Sequence, residues 1–358
     1  MNMFKPTLPK KENLTYFVLP KAGEPPQQGA KINAWEMVAD INPACLTFSQ
    51  TRRAEHASTV VLMSVWGGLM LFLVVLPYVL EMPGNIDRLG VGHAIISALL
   101  LAAGLGFAVG VPLRVLRKPR SPILLSRQLR RFYHWQSKKV GWVALNYDDV
   151  VPYVMRVTSV SQAGTSTSFF LHVGVLKPGT RKVIQNIRLS DPTGAVQPPA
   201  ELWEFIRAYM DGSPAKVPPI EFRIPEGQQH GIHARMDRDM LSGLVDARHR
   251  LNPGLFPKLY FAMLAMMTYW SGRLLPWLEH KRPKPPLPPE LAEAMQWTGK
   301  NPYRVTPPTD IEQKAIDGKL PYMNRRWFIG MLLSTLLWGS SFLWLSTLSW
   351  RDLLFSGA

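Results

Sequence analysis

Three histidines and three aspartates fall within twenty residues of one another: His230, His233, Asp237, Asp239, Asp246 and His249. Imidazole and carboxylate are the donors a divalent metal takes, and His230 and His233 are spaced to share a helix face. The pattern departs from a zinc-protease helix, because Gly231 rather than glutamate follows His230 and the second histidine comes one residue early. Gly231 also weakens the helix that would present the pair. Arg235, Arg238, Arg248 and Arg250 alternate with the acids, so the segment is read as a solvated charged helix and no metal ligand is assigned.

Other reactive residues are equally unsupported. The chain has no GxSxG, no P-loop and no GxGxxG opening a helix, and the pair Asp148-Asp149 sits at a turn signal. Cys45 is the single cysteine, which excludes an intrachain disulfide, a CxxC pair and a Cys/His zinc spacing. Asn13-Leu14-Thr15 matches a glycosylation sequon but falls on the side expected to be cytoplasmic. No catalytic residue and no cofactor are therefore predicted.

One cluster has binding chemistry instead. Arg127, Arg130, Arg131, Lys138 and Lys139 are interleaved with Phe132, Tyr133 and Trp135. As a patch for anionic lipid headgroups or for a partner, it would gain about 1 kcal/mol per basic residue near a membrane surface. Positive-inside topology by itself also accounts for these charges. The net charge of +16 makes an acidic partner worth considering, but no nucleic-acid motif accompanies it and none is assigned as partner.

The elements that must position this cluster are set by hydropathy. Ala57–Leu80, Leu89–Leu113 and Trp327–Trp350 run for 24, 25 and 24 residues without Asp, Glu, Lys or Arg. Roughly 20 apolar residues cross a bilayer as a helix, so the sequence predicts an integral membrane protein. Residues 1–56 show no apolar stretch after a basic start, and the first span is read as an uncleaved anchor. Residues 1–56 carry 7 Lys/Arg, the 81–92 loop carries only Arg88, and 114–254 carries 21. The loop is thus expected outside and the 114–254 region inside. Leu259–Gly272 is 14 residues long between Lys258 and Arg273. An interfacial or packed helix is favoured there, giving three spans, and a further span, giving four, is the alternative. Gly106 and Gly110 form a GxxxG suited to helix packing or to a homo-oligomer. Trp66, Tyr78, Trp327 and Trp350 are read as interfacial anchors.

Between 121 and 212 the pattern becomes short strands: Ile123–Arg127, Arg130–Gln136, Val140–Tyr147, Tyr153–Val160, Ser168–Val175 and Arg181–Leu189. A helix follows over Glu201–Met210, with Leu202, Phe205, Ile206 and Met210 on one face. A small antiparallel sheet or barrel capped by a C-terminal helix resembles a pleckstrin-homology-like domain. The expected layout is a cytoplasmic arm (1–56), a transmembrane hairpin (57–113), this α+β domain (121–212), and a connector with the charged helix (213–254). An interfacial or transmembrane helix (255–277), a Pro-rich basic segment (278–326) and a last span (327–350) complete it.

Three segments carry a wider resemblance: Ser121-Pro-Ile-Leu-Leu-Ser-Arg-Gln-Leu-Arg-Arg-Phe-Tyr133, Glu201-Leu-Trp-Glu-Phe-Ile-Arg-Ala-Tyr-Met-Asp-Gly212, and Lys281-Arg-Pro-Lys-Pro-Pro-Leu-Pro-Pro-Glu-Leu-Ala292 followed by Asn301-Pro-Tyr303. Over roughly residues 50–305 the chain resembles an uncharacterised proteobacterial inner-membrane family often encoded beside type VI secretion effectors. The resemblance implies a non-enzymatic protein of the bacterial inner membrane that binds a secreted effector, in an immunity or accessory role. A lipid-sensing scaffold acting through the basic hairpin is the alternative, and a membrane-disrupting toxin a third.

Overall fold

The computed structural model describes residues 6–10, 15–26, 29, 31–49, 51–80, 82–161, 164–222, 224 and 231–355. The chain divides into two units. The first is built from three separated segments, Met1–Arg52, Arg120–Arg223 and Lys284–Pro307.

In this unit β1 (Tyr16–Val18), β2 (Val38–Ile41) and β3 (Cys45–Phe48) precede the six strands expected from alternation. Those are β4 (Ile123–Ser126), β5 (Arg131–Ser137), β6 (Gly141–Asn146), β7 (Val151–Ser161), β8 (Gly164–Leu176) and β9 (Val183–Arg188). One antiparallel sheet has the order β2-β3-β4-β5-β6 and the other β1-β7-β8-β9. Tight turns separate the strands where the sequence signals them, as at Pro178-Gly179, where Gly179 takes φ +70°. Helix α4 (Gln197–Asp211) starts with Pro198-Pro199 in its first turn and stops at Gly212. Its predicted face, Leu202, Phe205, Ile206 and Met210, is buried, and Trp203 and Tyr209 join it. They pack in one core with Val38, Ile41, Leu46 and Phe48 from β2 and β3, with Leu125, Phe132 and Leu145 from β4–β6, and with Val154, Leu171, Val173 and Ile187 from β7–β9. Each such side chain contributes about 1.5–3 kcal/mol on leaving water.

The N-terminal segment, expected as a separate arm over 1–56, thus supplies strands and side chains to the core. Trp203 Nε1 donates to Pro20 O at 2.7 Å and Tyr209 Oη to Asn42 O at 2.9 Å, tying the N-terminal segment to α4. Strands of three or four residues between prolines leave no period to read, which is why alternation missed them. Asn13 and Leu14 of the sequon lie outside the described residues. The Pro-rich segment also differs from expectation. Its first part, 284–307, lies on the sheets, with α7 (Pro289–Ala294) and β11 (Val305–Thr306), which pairs in parallel with β10 (Ile220–Glu221). A short 3₁₀ turn over Pro214–Lys216 leads into β10.

The second unit comprises Arg53–Pro119, Ile224–Pro283 and Pro308–Ala358. It contains α1 (Thr51–Leu80), α2 (Met82–Leu105), α3 (Val111–Arg117), α5 (Ile232–Met240), α6 (Leu255–Lys281), α8 (Asp310–Ile316) and α9 (Pro321–Phe355). A π-helical turn at Gly106–Gly110 joins α2 to α3. Among the described residues of this unit, three stretches are long and apolar enough to cross a membrane: Ala57–Leu76, Ile95–Arg117 and the run within Asp310–Trp344 that α9 carries. The segment read as 259–272 is the middle of the 27-residue α6 and is not among them.

Helices α1 and α2 meet at Gly68 and Gly104. A Cβ at Gly68 would lie 2.5 Å from both Gly104 O and Ala108 N, and one at Gly104 would lie 2.9 Å from Gly68 O. Gly106 and Gly110 have open space where a Cβ would go. The small-residue pair in use is Gly104-xxx-Ala108. Gly106 lies two residues on, about 200° around the helix at 3.6 residues per turn, which turns the predicted pair away from the contact. Trp66 meets Trp338 edge-on at 5.0 Å, and the side chains of Tyr78 and Trp350 lie outside the described residues.

Substituting Gly68 or Gly104 by leucine forces the α1–α2 backbones apart, at an overpacking cost of about 1–3 kcal/mol. Thermal unfolding of the detergent-solubilised chain should fall for these variants and stay unchanged for Gly106→Ala and Gly110→Ala.

Candidate functional site

The basic hairpin is the place where the sequence put binding chemistry, and folding uses up most of it. Arg127 and Arg130 bracket the turn between β4 and β5. Arg127 Nη1 donates to Tyr303 Oη at 2.8 Å and Nη2 to Gly212 O at 2.7 Å, with the guanidinium over the Tyr209 ring. Arg130 adopts φ +49°, a left-handed backbone that costs a non-glycine residue free energy. Its side chain offsets that cost by holding three elements. Nε and Nη2 donate to Asp148 at 2.8 and 2.6 Å, Nη2 also reaches Asp211 Oδ1 at 2.9 Å, and the plane stacks 4.9 Å from the Tyr147 ring centroid. Tyr147 Oη completes the group by donating to Asp211 Oδ2 at 2.7 Å. Burial, then the neighbouring Asp211 carboxylate, push the Tyr147 phenol well above its ordinary pKa, while Arg130 holds the Asp148 carboxyl below the ordinary value.

Arg131 faces the Pro-rich segment, 3.6 Å from Glu290 Oε2, and Tyr133 Oη donates to Glu290 Oε1 at 2.8 Å. Leu291 inserts beside Cys45, Leu124 and Tyr133, and Trp142 Nε1 donates to Pro286 O at 2.6 Å. Residues 284–307 therefore form a strap over the aromatic residues of the hairpin, with Asn301 Nδ2 donating to Ile41 O at 2.8 Å further along. Proline-rich sequence opposite a tryptophan-rich hairpin was the available signal, since preformed extended proline segments seat on aromatic surfaces. Of the five basic residues, Lys138 and Lys139 remain exposed at the β5–β6 tip without an ion pair among the described residues, next to exposed Val140. The five do not converge on one surface. Cys45 is buried under Leu291, and burial pushes its thiol up to about 12.

The His/Asp segment is also changed. His230 lies outside the described residues. Arg235 and Asp237 on α5 are buried instead of solvated. Asp237, fully inaccessible, accepts from Trp327 Nε1 at 2.8 Å, pairs with Arg326, and lies 3.0 Å from His249 Nδ1. Arg235 makes two 3.0 Å bonds to the Glu279 carboxylate on α6. Trp327, expected as an interfacial anchor, is buried in this network. His233 stacks on Trp327 at 6.0 Å, with Nδ1 3.1 Å from Asn324 Oδ1, and burial lowers its pKa. Among the described residues no three His, Cys, Asp or Glu side chains converge as metal ligands. A buried ion-paired network of this kind fixes how α5, α6 and α9 join.

Two outcomes follow. Arg130→Ala should destabilise the protein by about 1 kcal/mol, a surface-pair value because the Arg130 and Asp148 side chains are 39% and 47% exposed. With a depressed carboxyl, that contribution is present above the ordinary Asp pKa and is lost as pH falls through the folded value. The parent's unfolding midpoint should therefore drop more steeply in acid than the variant's. Asp237→Ala strands buried Arg326 and should cost about 3–5 kcal/mol in chemical denaturation, against little for Lys138→Ala.

No curated protein and no solved structure matches this chain. A family described as being of unknown function, DUF6708, matches residues 93–276, from within α2, through β4–β9, α4 and α5, into α6. That match takes in just over half of the 358 residues, and the chain belongs to the DUF6708 family.

Proposed function

We propose that this chain is a non-enzymatic protein of the bacterial inner membrane that captures a protein partner through its sheet-bearing segments, which face the cytoplasm. The observation that carries the binding reading is the β7–β8 ribbon. Its strands pair from Val151↔Gly174 to Ser161↔Gly164, but β1 covers only Tyr153–Met155 and β9 only His172–Leu176. The outer half, 157–161 and 164–167, has backbone edges to which a partner strand can add, and it exposes Val157 and Val160, the latter 78% accessible. A pleckstrin-homology-like architecture fits the two antiparallel sheets with α4 packed in their core.

Chain connectivity supports three crossings. Residues 6–49, 120–222 and 284–306 are joined by strand pairing and side-chain bonds, as between Tyr16 and Met155, Cys45 and Ser126, and Ile220 and Val305. They belong on one side of a bilayer, so each stretch between them crosses an even number of times. For 53–119 that number is two, by α1 and α2. For 224–283, whose described residues hold one long helix, α6, it is zero, and α9 makes the third crossing. Arg52, Arg53, Arg114, Arg117, Lys118, Arg325 and Arg326 then all fall on the sheet side, the side the positive-inside rule assigns to the cytoplasm.

Immunity against, or handling of, a type VI secretion effector is the role that the sequence resemblance supports, by occlusion of the toxin at the membrane. Deleting the gene should sensitise cells to kin that deliver the neighbouring effector. Restoring the parent should rescue them, and a chain with 158–167 replaced by a two-residue turn should not, although it remains folded and membrane-bound. Equal survival of deleted and parental cells rejects the immunity role. Full rescue by the shortened chain rejects the ribbon as its binding surface.

A further inference from the structure

Helix α6 has two apolar faces, and the described residues cover one of them. Phe261, Ala265, Tyr269, Gly272 and Leu275 descend one side and are buried. Phe261 and Tyr269 flank the Trp327 ring at 5.1 and 6.3 Å. A Cβ at Gly330 would stand 2.9 Å from Ala265 Cβ, and Met236 packs over Gly272. The other side presents Phe256, Leu259, Met263, Met267, Trp270 and Trp277 at spacings of three, four and seven, with exposures from 36% to 69%. Single exposed apolar residues are ordinary, but a stripe along the whole of a 27-residue helix marks an interaction surface. Lys258, one turn before Phe261 at the start of the helix, and Arg273, between the covered face and the stripe, are both exposed, and no acid occurs between Leu255 and Leu278.

Three observations together say what covers this stripe. First, α6 packs on α9, one of the helices long and apolar enough to cross. Ser334 Oγ and Trp338 Nε1 donate to Met266 O at 2.8 and 3.1 Å. Ser334 is seven residues into the charge-free run that starts at Trp327, or roughly 10 Å along the axis at 1.5 Å per residue. Second, the segments before and after 224–283 are hydrogen-bonded to each other, so α6 starts and finishes on one side of the bilayer. A helix that meets a crossing helix at that depth, yet returns to the side it left, lies along the interface. Third, the charged residues of α6 up to Leu278 are both basic and exposed, which complements anionic headgroups and suits an amphipathic helix seated in the headgroup–acyl boundary.

We infer that α6 is an in-plane membrane-interface helix. The Phe256, Leu259, Met263, Met267, Trp270 and Trp277 stripe rests among lipid acyl chains on the leaflet facing the sheet-bearing segments, and Lys258 and Arg273 sit against anionic phospholipid headgroups. This rests on the membrane placement proposed above. Loss of the chain from membranes on alkaline extraction would overturn both. An integrated chain with an aqueous stripe would overturn this inference alone.

The test uses the full chain, with Cys45 replaced by serine, in vesicles of phosphatidylethanolamine and phosphatidylglycerol. Nitroxides are placed singly at Met263→Cys, Met267→Cys and Trp270→Cys, three exposed positions on the stripe. Relative collision rates with oxygen and with a water-soluble nickel chelate should put all three at one shallow depth, about 5–10 Å below the phosphates. Cysteines at Lys258 and Lys284 should both react with impermeant maleimide from the same side. Labelling of the two ends from opposite sides, with depth changing steadily from 263 to 270, would overturn the inference in favour of a crossing helix. Free nickel access would overturn it in favour of water, and spin–spin broadening in favour of a second copy on the stripe. The double variant Lys258→Glu, Arg273→Glu should lose depth in vesicles containing phosphatidylglycerol. Unchanged depth there would overturn the headgroup assignment.

Discussion

The sheet-bearing unit depends on α4 having something to bury against on every side. Trp203, Phe205, Ile206 and Tyr209 are inaccessible to solvent, and no single contiguous segment supplies their surroundings. Strands β4–β9 come from the central segment, β2 and β3 from the N-terminal one, and Tyr303 from the strap. Each contributor is separated from the next by apolar helices. Burial of one amphipathic helix therefore requires three distant parts of the chain to arrive at the same place.

Much of this was legible because it is periodic. The six central strands alternate and are bounded by turn residues, and α4 repeats apolar residues at 3.6-residue spacing, so local pattern located them to within a few positions. Charge-free runs located the candidate membrane helices for the same reason. The parts that escaped have no period. Strands β1–β3 are three or four residues long, and the strap opens on Pro285-Pro286-Leu287-Pro288-Pro289, a run with no periodic face to bury. Segment 284–307 is fixed by Leu291, Glu290 and Trp142, single contacts that only the tertiary structure pairs.

The chemistry was misread for a related reason. Composition makes Arg127, Arg130 and Arg131 a cationic patch, whereas the fold makes Arg127 and Arg130 clamps on Gly212, Tyr303, Asp148 and Asp211. Likewise Asp237 and Arg235 have the sequence context of a solvated charged helix and the surroundings of a core. A charge pattern reports sign and spacing, and it does not report whether an opposite charge far along the chain will meet it. A net charge of +16 thus overstates the cationic surface left for partners. Arg131, facing Glu290, and Lys138 and Lys139 at the hairpin tip are the exposed remainder of the predicted patch.

The strap has a consequence for how the protein is made. Residues 284–307 leave the ribosome after two candidate membrane helices, both sheets, α4 and α6 have already been synthesised. Until they arrive, the groove beside Cys45, Leu124 and Tyr133 has no Leu291, and Trp142 has no acceptor at Pro286. The nascent protein consequently passes through a stage in which a partly complete β body waits, with sticky aromatic surface, for a late segment. Closure over such separations is slow compared with forming a local hairpin. A chain truncated before residue 286 would lack both Pro286 and Leu291 and leave that surface open to whatever chaperone or neighbouring chain reached it first.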